Sequence, residues 1–196
     1  MEITATLIKQ LRDKTGAGVM DCKSVLSEAQ GDLDKAEGLL RKRGQAKMNK
    51  MAGRETKQGL IDSYVHGGRL GALLELNCET DFVARTDGFR ELAHELAMHI
   101  AAANPRYVDR DSIPADELEA RRAEFTAEAK AEGKPESDLD QTVQSKLDKY
   151  LQELCLMDQP WVKASNQTVG DLVREYAAKT GENVRVGRFA RFVLGE

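Results

Sequence analysis

Apolar positions along the chain recur with different periods, and each change of period predicts an element. The clearest run is Phe89, Leu92, Ala93, Leu96, Ala97, Ile100 and Ala101, at offsets of three, four, seven, eight, eleven and twelve from the first. That is the stripe of an amphipathic helix, with Thr86 as its cap and Asn104-Pro105 as its end. Before it, residues 59–78 alternate around Gly67-Gly68, the pattern of a β-hairpin with a two-residue turn. Such a turn sets Val65 opposite Leu70, Ser63 opposite Ala72 and Ile61 opposite Leu74, and the helix is expected on this apolar face. The other face carries Leu60, Tyr64 and Leu73 beside Asp62 and Glu75. Residues 184–194 read as a third strand, with Phe189 and Val193 on one side and Phe192 and Leu194 on the other. Apolar groups on both faces call for a cover on each, and a sheet-to-sheet homodimer supplies the second.

Residues 1–44 read as three short helices around one small core. Leu7 and Leu11 lie one turn apart, and Thr15-Gly16-Ala17-Gly18 breaks the first helix. Asp21 caps a second with Cys22, Val25, Leu26 and Ala29 on one stripe. Asp32 starts a third with Leu33, Ala36, Leu39 and Leu40 inward, and Gly44 stops it. Val19 and Met20 fall in the turn before the second helix, where they either fill the core or offer a soft apolar contact. Residues 45–58 gather Lys47, Lys50, Arg54 and Lys57 and read as a partly helical linker with a solvated basic face. Pro114 opens a charged helix to Ala131. After a turn, Leu139, Val143, Leu147, Tyr150, Leu151 and Leu154 form the seam of its antiparallel mate, either a projecting arm or a pair packed on the body. Trp161 sits in a loop as a packing residue. Thr168 caps a helix bearing Val169, Leu172, Val173, Tyr176 and Ala177, which Gly181 ends. The fold class is α+β: a three-helix module over 1–44, a linker over 45–58, and a core over 59–196 with a three-stranded antiparallel sheet, packed helices and a helical hairpin.

Composition narrows the functions. The 196 residues are 41% hydrophobic and 32% charged, with a net charge of −4, which argues against a general nucleic-acid binder. No apolar run reaches membrane-spanning length and the N-terminus lacks a leader-like apolar region, so a cytoplasmic protein is expected. Cys22, Cys78 and Cys155 are far apart and form neither a disulfide framework nor a zinc pattern. His94 and His99 fall on different sides of their helix, so a shared metal is not expected. There is no phosphate-binding glycine loop, no nucleophile elbow and no zinc-protease motif. Glu79 with Asp81 is at most a weak acid/base pair, so neither catalysis nor a cofactor is expected.

Between the hairpin and its helix stands Thr80-Asp81-Phe82-Val83. A large aromatic in a connection is either folded back under the loop or offered to a partner. Asn77-Cys78-Glu79-Thr80-Asp81-Phe82-Val83-Ala84 resembles the signature of the elongation factor Ts family, the exchange factors of the translation GTPase elongation factor Tu. Thr15-Gly16-Ala17-Gly18-Val19-Met20-Asp21-Cys22-Lys23 is similar to the family's N-terminal module, which is ubiquitin-associated-like. Gly181-Glu182-Asn183-Val184 through Arg188-Phe189 is similar to its last strand. The resemblance implies a guanine nucleotide exchange factor, not an enzyme, in which Phe82 with Asp81 enters the GTPase domain and disturbs its magnesium and phosphate site. It carries Thr80, Asp81, Phe82 and Val83 to the exchange loop and Leu11, Val19 and Met20 to the surface meeting the nucleotide-binding domain. It also implies dimerisation through the sheet. Gly187, Val193 and Trp161 depart from the family's more usual basic, acidic and phenylalanine residues. The alternative is a passive adaptor, a helical binding module on a dimerising scaffold.

Overall fold

The structure, a computed structural model, describes residues 3–196, with the side chains of residues 45–49 outside the description. Two compact units divide the chain after Arg54. The first holds α1 (Ala5–Thr15), α2 (Val19–Glu28) and α3 (Leu33–Ala52). The Asp32 carboxylate accepts the backbone N–H groups of Asp34 and Lys35 at 3.0 Å and opens α3. Leu11, Cys22, Val25, Leu26, Ala29 and Ala36 form the buried core, edged by Leu7, Leu33, Leu39 and Leu40. Two expectations change. Gly18, in extended backbone, is the N-cap of α2, so the helix starts before Asp21 and Val19 and Met20 form its first turn. α3 runs through Gly44 to Ala52, since one interior glycine costs a helix only about 1 kcal/mol. Of the basic cluster, Lys47 lies outside the described side chains.

The second unit contains β1 (Gln58–His66), β2 (Leu70–Cys78), α4 (Asp81–Ala84), α5 (Asp87–Ala103), α6 (Ala115–Ala131), α7 (Glu136–Leu154), β3 (Pro160–Trp161), β4 (Ala164–Thr168), α8 (Val169–Thr180) and β5 (Arg185–Val193). The sheet is three-stranded and antiparallel in the order β1-β2-β5. Ala72, Leu74, Leu76 and Cys78 face α5 and are buried, and so is every member of the α5 stripe from Phe89 to Ala101. Each large apolar side chain withdrawn from water here contributes about 1.5–3 kcal/mol.

The hairpin register differs from expectation by one residue. Gly67 and Gly68 both take positive φ, and the His66 carbonyl accepts the Arg69 N–H at 3.1 Å. The next ladder pair is His66 with Leu70, so Arg69 belongs to a three-residue loop. A one-residue slip turns every β1 side chain over. Ile61 and Val65 therefore face away from α5, at 63% and 66% exposure. Asp62 and Tyr64 face it instead: Asp62 pairs with His94 at 3.3 Å, and the Tyr64 ring meets the His94 edge-on. Between β2 and β5 the register shifts at Glu75/Leu76, leaving Gly187 as the extra residue of a bulge. A Cβ at Gly187 would run into the ends of Asn77 and Glu75. Its absence leaves room for the Glu75 carboxylate to accept from Asn77 at 3.1 Å and from Arg188 at 2.8 Å. These donors, Asn77 foremost, hold the Glu75 carboxyl below its ordinary range.

α6 and α7 pair as the expected hairpin, with Leu147 and Leu151 buried beside Ile113 and Cys155 and flanked by Tyr107, Leu118, Phe125 and Tyr150. The segment expected as a loop around Trp161 is instead a small ribbon, β3 with β4. Trp161 is buried and stacks on His99, ring centres 5.2 Å apart. His99 lies fully buried, its Nε2 3.0 Å from Gln159 Oε1 while Nδ1 faces the Val162 N–H at 3.4 Å. Gln159 donates in turn to the carbonyls of Glu153 and Ala103. This network ties the ribbon to α5 only while the imidazole is neutral, with its proton on Nε2, and burial lowers its pKa accordingly. All three cysteines are buried thiols, and burial pushes the Cys155 thiol up to about 11.

Two outcomes are expected. Gly59 has φ 153, and a Cβ there would overlap the backbone carbonyl of Leu76 across the ladder, so Gly59→Ala should lower stability in urea by about 1–3 kcal/mol. The unfolded chain takes up the His99 proton at about pH 6.5, and the folded one only at lower pH. The stability from neutral His99 is thus complete above that value and lost as pH falls below it. Titrating the unfolding free energy should show this dependence in the parent and its loss in His99→Phe.

Candidate partner-binding site

The stretch from Cys78 to Thr86 is fixed at nearly every residue except two. β2 ends at Cys78, whose buried Sγ donates to the Thr80 carbonyl at 3.1 Å. Thr80, in extended backbone, caps the single turn α4 by accepting the Val83 N–H. Six residues on, Thr86 repeats the device: its hydroxyl accepts the Phe89 N–H and donates to the Val83 carbonyl at 2.8 Å. Two threonine caps so close allow only one turn between strand and helix, and that turn sends neighbouring side chains opposite ways. Val83 is 6% exposed and Phe82 78% exposed. Asp81 is exposed on the outer side and pairs with Arg85 at 2.9 Å. Asp81, Phe82, Arg85 and Thr86 line a shallow recess of about 360 Å³.

Distant residues anchor this turn. The Glu182 carboxylate accepts the Thr80 N–H at 3.0 Å through Oε2 and the Thr80 hydroxyl at 2.6 Å through Oε1. Glu79 reaches the other way and accepts the Asn183 N–H at 2.6 Å. The Tyr176 hydroxyl lies 3.1 Å from Thr86 Oγ1, and its ring tilts against Phe89. Glu182 and Tyr176 are about a hundred residues downstream, and although the helical stripe after Thr168 includes Tyr176, no local spacing ties either residue to this turn. Only the tail motif containing Glu182 and Asn183 pointed near them.

The candidate residues therefore divide. Asp81 and Phe82 are presented to solvent, while Thr80 and Val83 are their mount. In the first unit, Val19 and Met20 are 48% and 75% exposed, side by side in the first turn of α2. Leu11 is fully buried. It lies in the module's core and not on its surface, because the α1 stripe it shares with Leu7 is the one that α2 and α3 cover. A second apolar surface is the outer face of the sheet. There Val65, Gly71 and Phe192 form one row and Ser63, Leu73 and Ala190 the next, with Phe192 70% and Leu73 47% exposed. Among the described residues, no His, Cys, Asp and Glu group is placed to hold a metal ion. Among them, too, no helix is long and apolar enough to cross a membrane.

Comparison with known proteins places the chain in a family. A family model described as Elongation factor TS matches residues 28–196. The chain is 53% identical over 196 residues to "Elongation factor Ts" of Solibacter usitatus (strain Ellin6076), spanning 100% of this chain and 92% of that protein. It is 51% identical to the proteins of the same name from Fervidobacterium nodosum (strain ATCC 35602 / DSM 5306 / Rt17-B1) and Thermotoga petrophila (strain ATCC BAA-488 / DSM 13995 / JCM 10881 / RKU-1), over 100% of this chain and 100% and 98% of theirs. With the family model matching residues 28–196 and these relatives about half identical over the whole of this chain, the chain belongs to the elongation factor Ts family.

Proposed function

We propose that this chain speeds GDP release from elongation factor Tu by seating Phe82 in the GTPase domain, as the family's role in translation elongation implies. The observation that carries this reading is a large aromatic left 78% exposed on a turn whose backbone is pinned on both sides. An exchange factor forms no covalent bond. It binds the nucleotide-free conformer better than the loaded one, and by reciprocity weakens the nucleotide by the same factor that the nucleotide weakens it. Bound nucleotide is held by a phosphate loop and magnesium, so a wedge that shifts elements at that end need only favour the emptied geometry. A ten-thousand-fold loosening needs about 5.5 kcal/mol of differential binding. One aromatic in a desolvated pocket supplies about 2–4 kcal/mol, so further contacts are required.

Two features supply them in this reading, and a third sets the assembly of the factor itself. Asp81 meets polar groups beside the aromatic. Val19 and Met20 make an adaptable apolar contact with the nucleotide-binding domain, with Leu11 supporting them from the module's core. The outer sheet face joins two copies of the chain through Ile61, Val65, Leu73 and Phe192, for which their exposure is the support. The protein acts in the cytoplasm, without a cofactor, nucleic acid or membrane of its own.

Replacing Phe82 with Ala should leave the far-ultraviolet circular dichroism unchanged and slow the stimulated release of labelled GDP at least about tenfold. Unaltered exchange by that variant would remove the wedge. Phe192→Glu should weaken self-association at least about tenfold, because it places a charge in an apolar contact. Sedimentation velocity would then show a dimer for the parent and a monomer for the variant.

A further inference from the structure

The exposed turn carries no core of its own to keep it in one shape. Of its side chains, only Val83 is buried. α4 is a single turn, too short to be stable by itself. What fixes its entry is a two-oxygen clasp from the far end of the second unit. Glu182, just after the glycine that ends α8, accepts both the N–H and the hydroxyl of Thr80. The same hydroxyl accepts the Val83 N–H, so the clasp orients the very oxygen that caps α4. Glu79 answers with a hydrogen bond to Asn183. The two carboxylates thus cross between the same two segments in opposite directions.

We infer that Glu182 is a positioning residue for the exchange reaction, holding the Thr80 cap so that Phe82 is preset in its outward pose. This rests on the Phe82 wedge. Glu182 would not touch the partner. It would raise the fraction of molecules whose turn is competent to bind, and a fractional competent population raises the apparent dissociation constant in proportion. Charged hydrogen bonds of this kind contribute more than neutral ones, while both groups lie near solvent, so a partial loosening and not local unfolding is the expected result of removing them.

The test measures exchange on elongation factor Tu over a range of factor concentrations for Glu182→Ala, Glu182→Gln, Phe82→Ala and the double variant Phe82→Ala/Glu182→Ala. Glu182→Ala should raise the half-saturating concentration about three- to tenfold, with the rate at saturation kept. Glu182→Gln, which retains one acceptor, should fall between it and the parent. Amide hydrogen exchange at Thr80 and Val83 should quicken in Glu182→Ala while the α5 and β2 amides stay protected. In the Phe82→Ala background the Glu182 change should have no further effect on exchange. An unchanged half-saturation point in Glu182→Ala, or the same loss with and without Phe82, overturns the positioning role. Normal exchange by Phe82→Ala alone instead overturns the wedge, so the two failures are told apart. Loss of protection across the whole core in both Glu182 variants would also overturn the inference, by making Glu182 a general stabiliser.

Discussion

Burial of the α5 stripe on the core face of β1 and β2 is the contact that the other features depend on. Phe89, Leu92, Leu96 and Ile100 close over Leu74, Leu76 and Cys78, all of them under 5% exposed. With the end of β2 and the start of α5 both immobilised by that packing, the short connection between them has little freedom. Its two threonine caps use what remains. Rigidity at the Asp81-Phe82 turn is thus mostly inherited from the sheet–helix sandwich, and side chains from α8 and the approach to β5 complete it.

An exposed phenylalanine is unremarkable by itself. What distinguishes Phe82 is that its neighbour Val83 is buried and the carbonyls of Thr80, Asp81 and Val83 accept hydrogen bonds. The turn cannot roll the ring inward without giving up Val83. Exposure at this site is therefore the consequence of burial one residue away, which gives a physical account of how a chain keeps an aromatic in water.

Much of this architecture was legible from local chemistry. Thr86, Asp32 and Thr168 cap the helices they were expected to cap, and Asn104 and Gly181 end theirs in left-handed backbone. The α5 period marked seven of the helix's eight buried residues and missed only His99. What failed were features set by distant or marginal terms. The hairpin register turned on whether Arg69 joined the ladder or the loop, and both faces of β1 carry apolar residues, so the pattern could not arbitrate. Gly44 was overridden by the residues around it. The β3–β4 ribbon is too short to show an alternation, and its anchor, His99, depends on Gln159 sixty positions away. In the site, the motif singled out Thr80 to Val83 as a group. Which of the four face solvent, and that Leu11 lies inward, required the packing itself. The bulge also rationalises Gly187, a position unusual by resemblance, as the slot that Glu75 and Asn77 fill.

The placement of the thiols has a practical corollary. Cys22 is sealed inside the first unit, whereas Cys78 and Cys155 are sealed inside the second. An alkylating reagent meets none of them until the surrounding structure opens, so the rate at which each becomes labelled is a clock for the breathing of its own unit. A single chain thereby carries separate, naturally installed reporters for its helical module and for its sheet core.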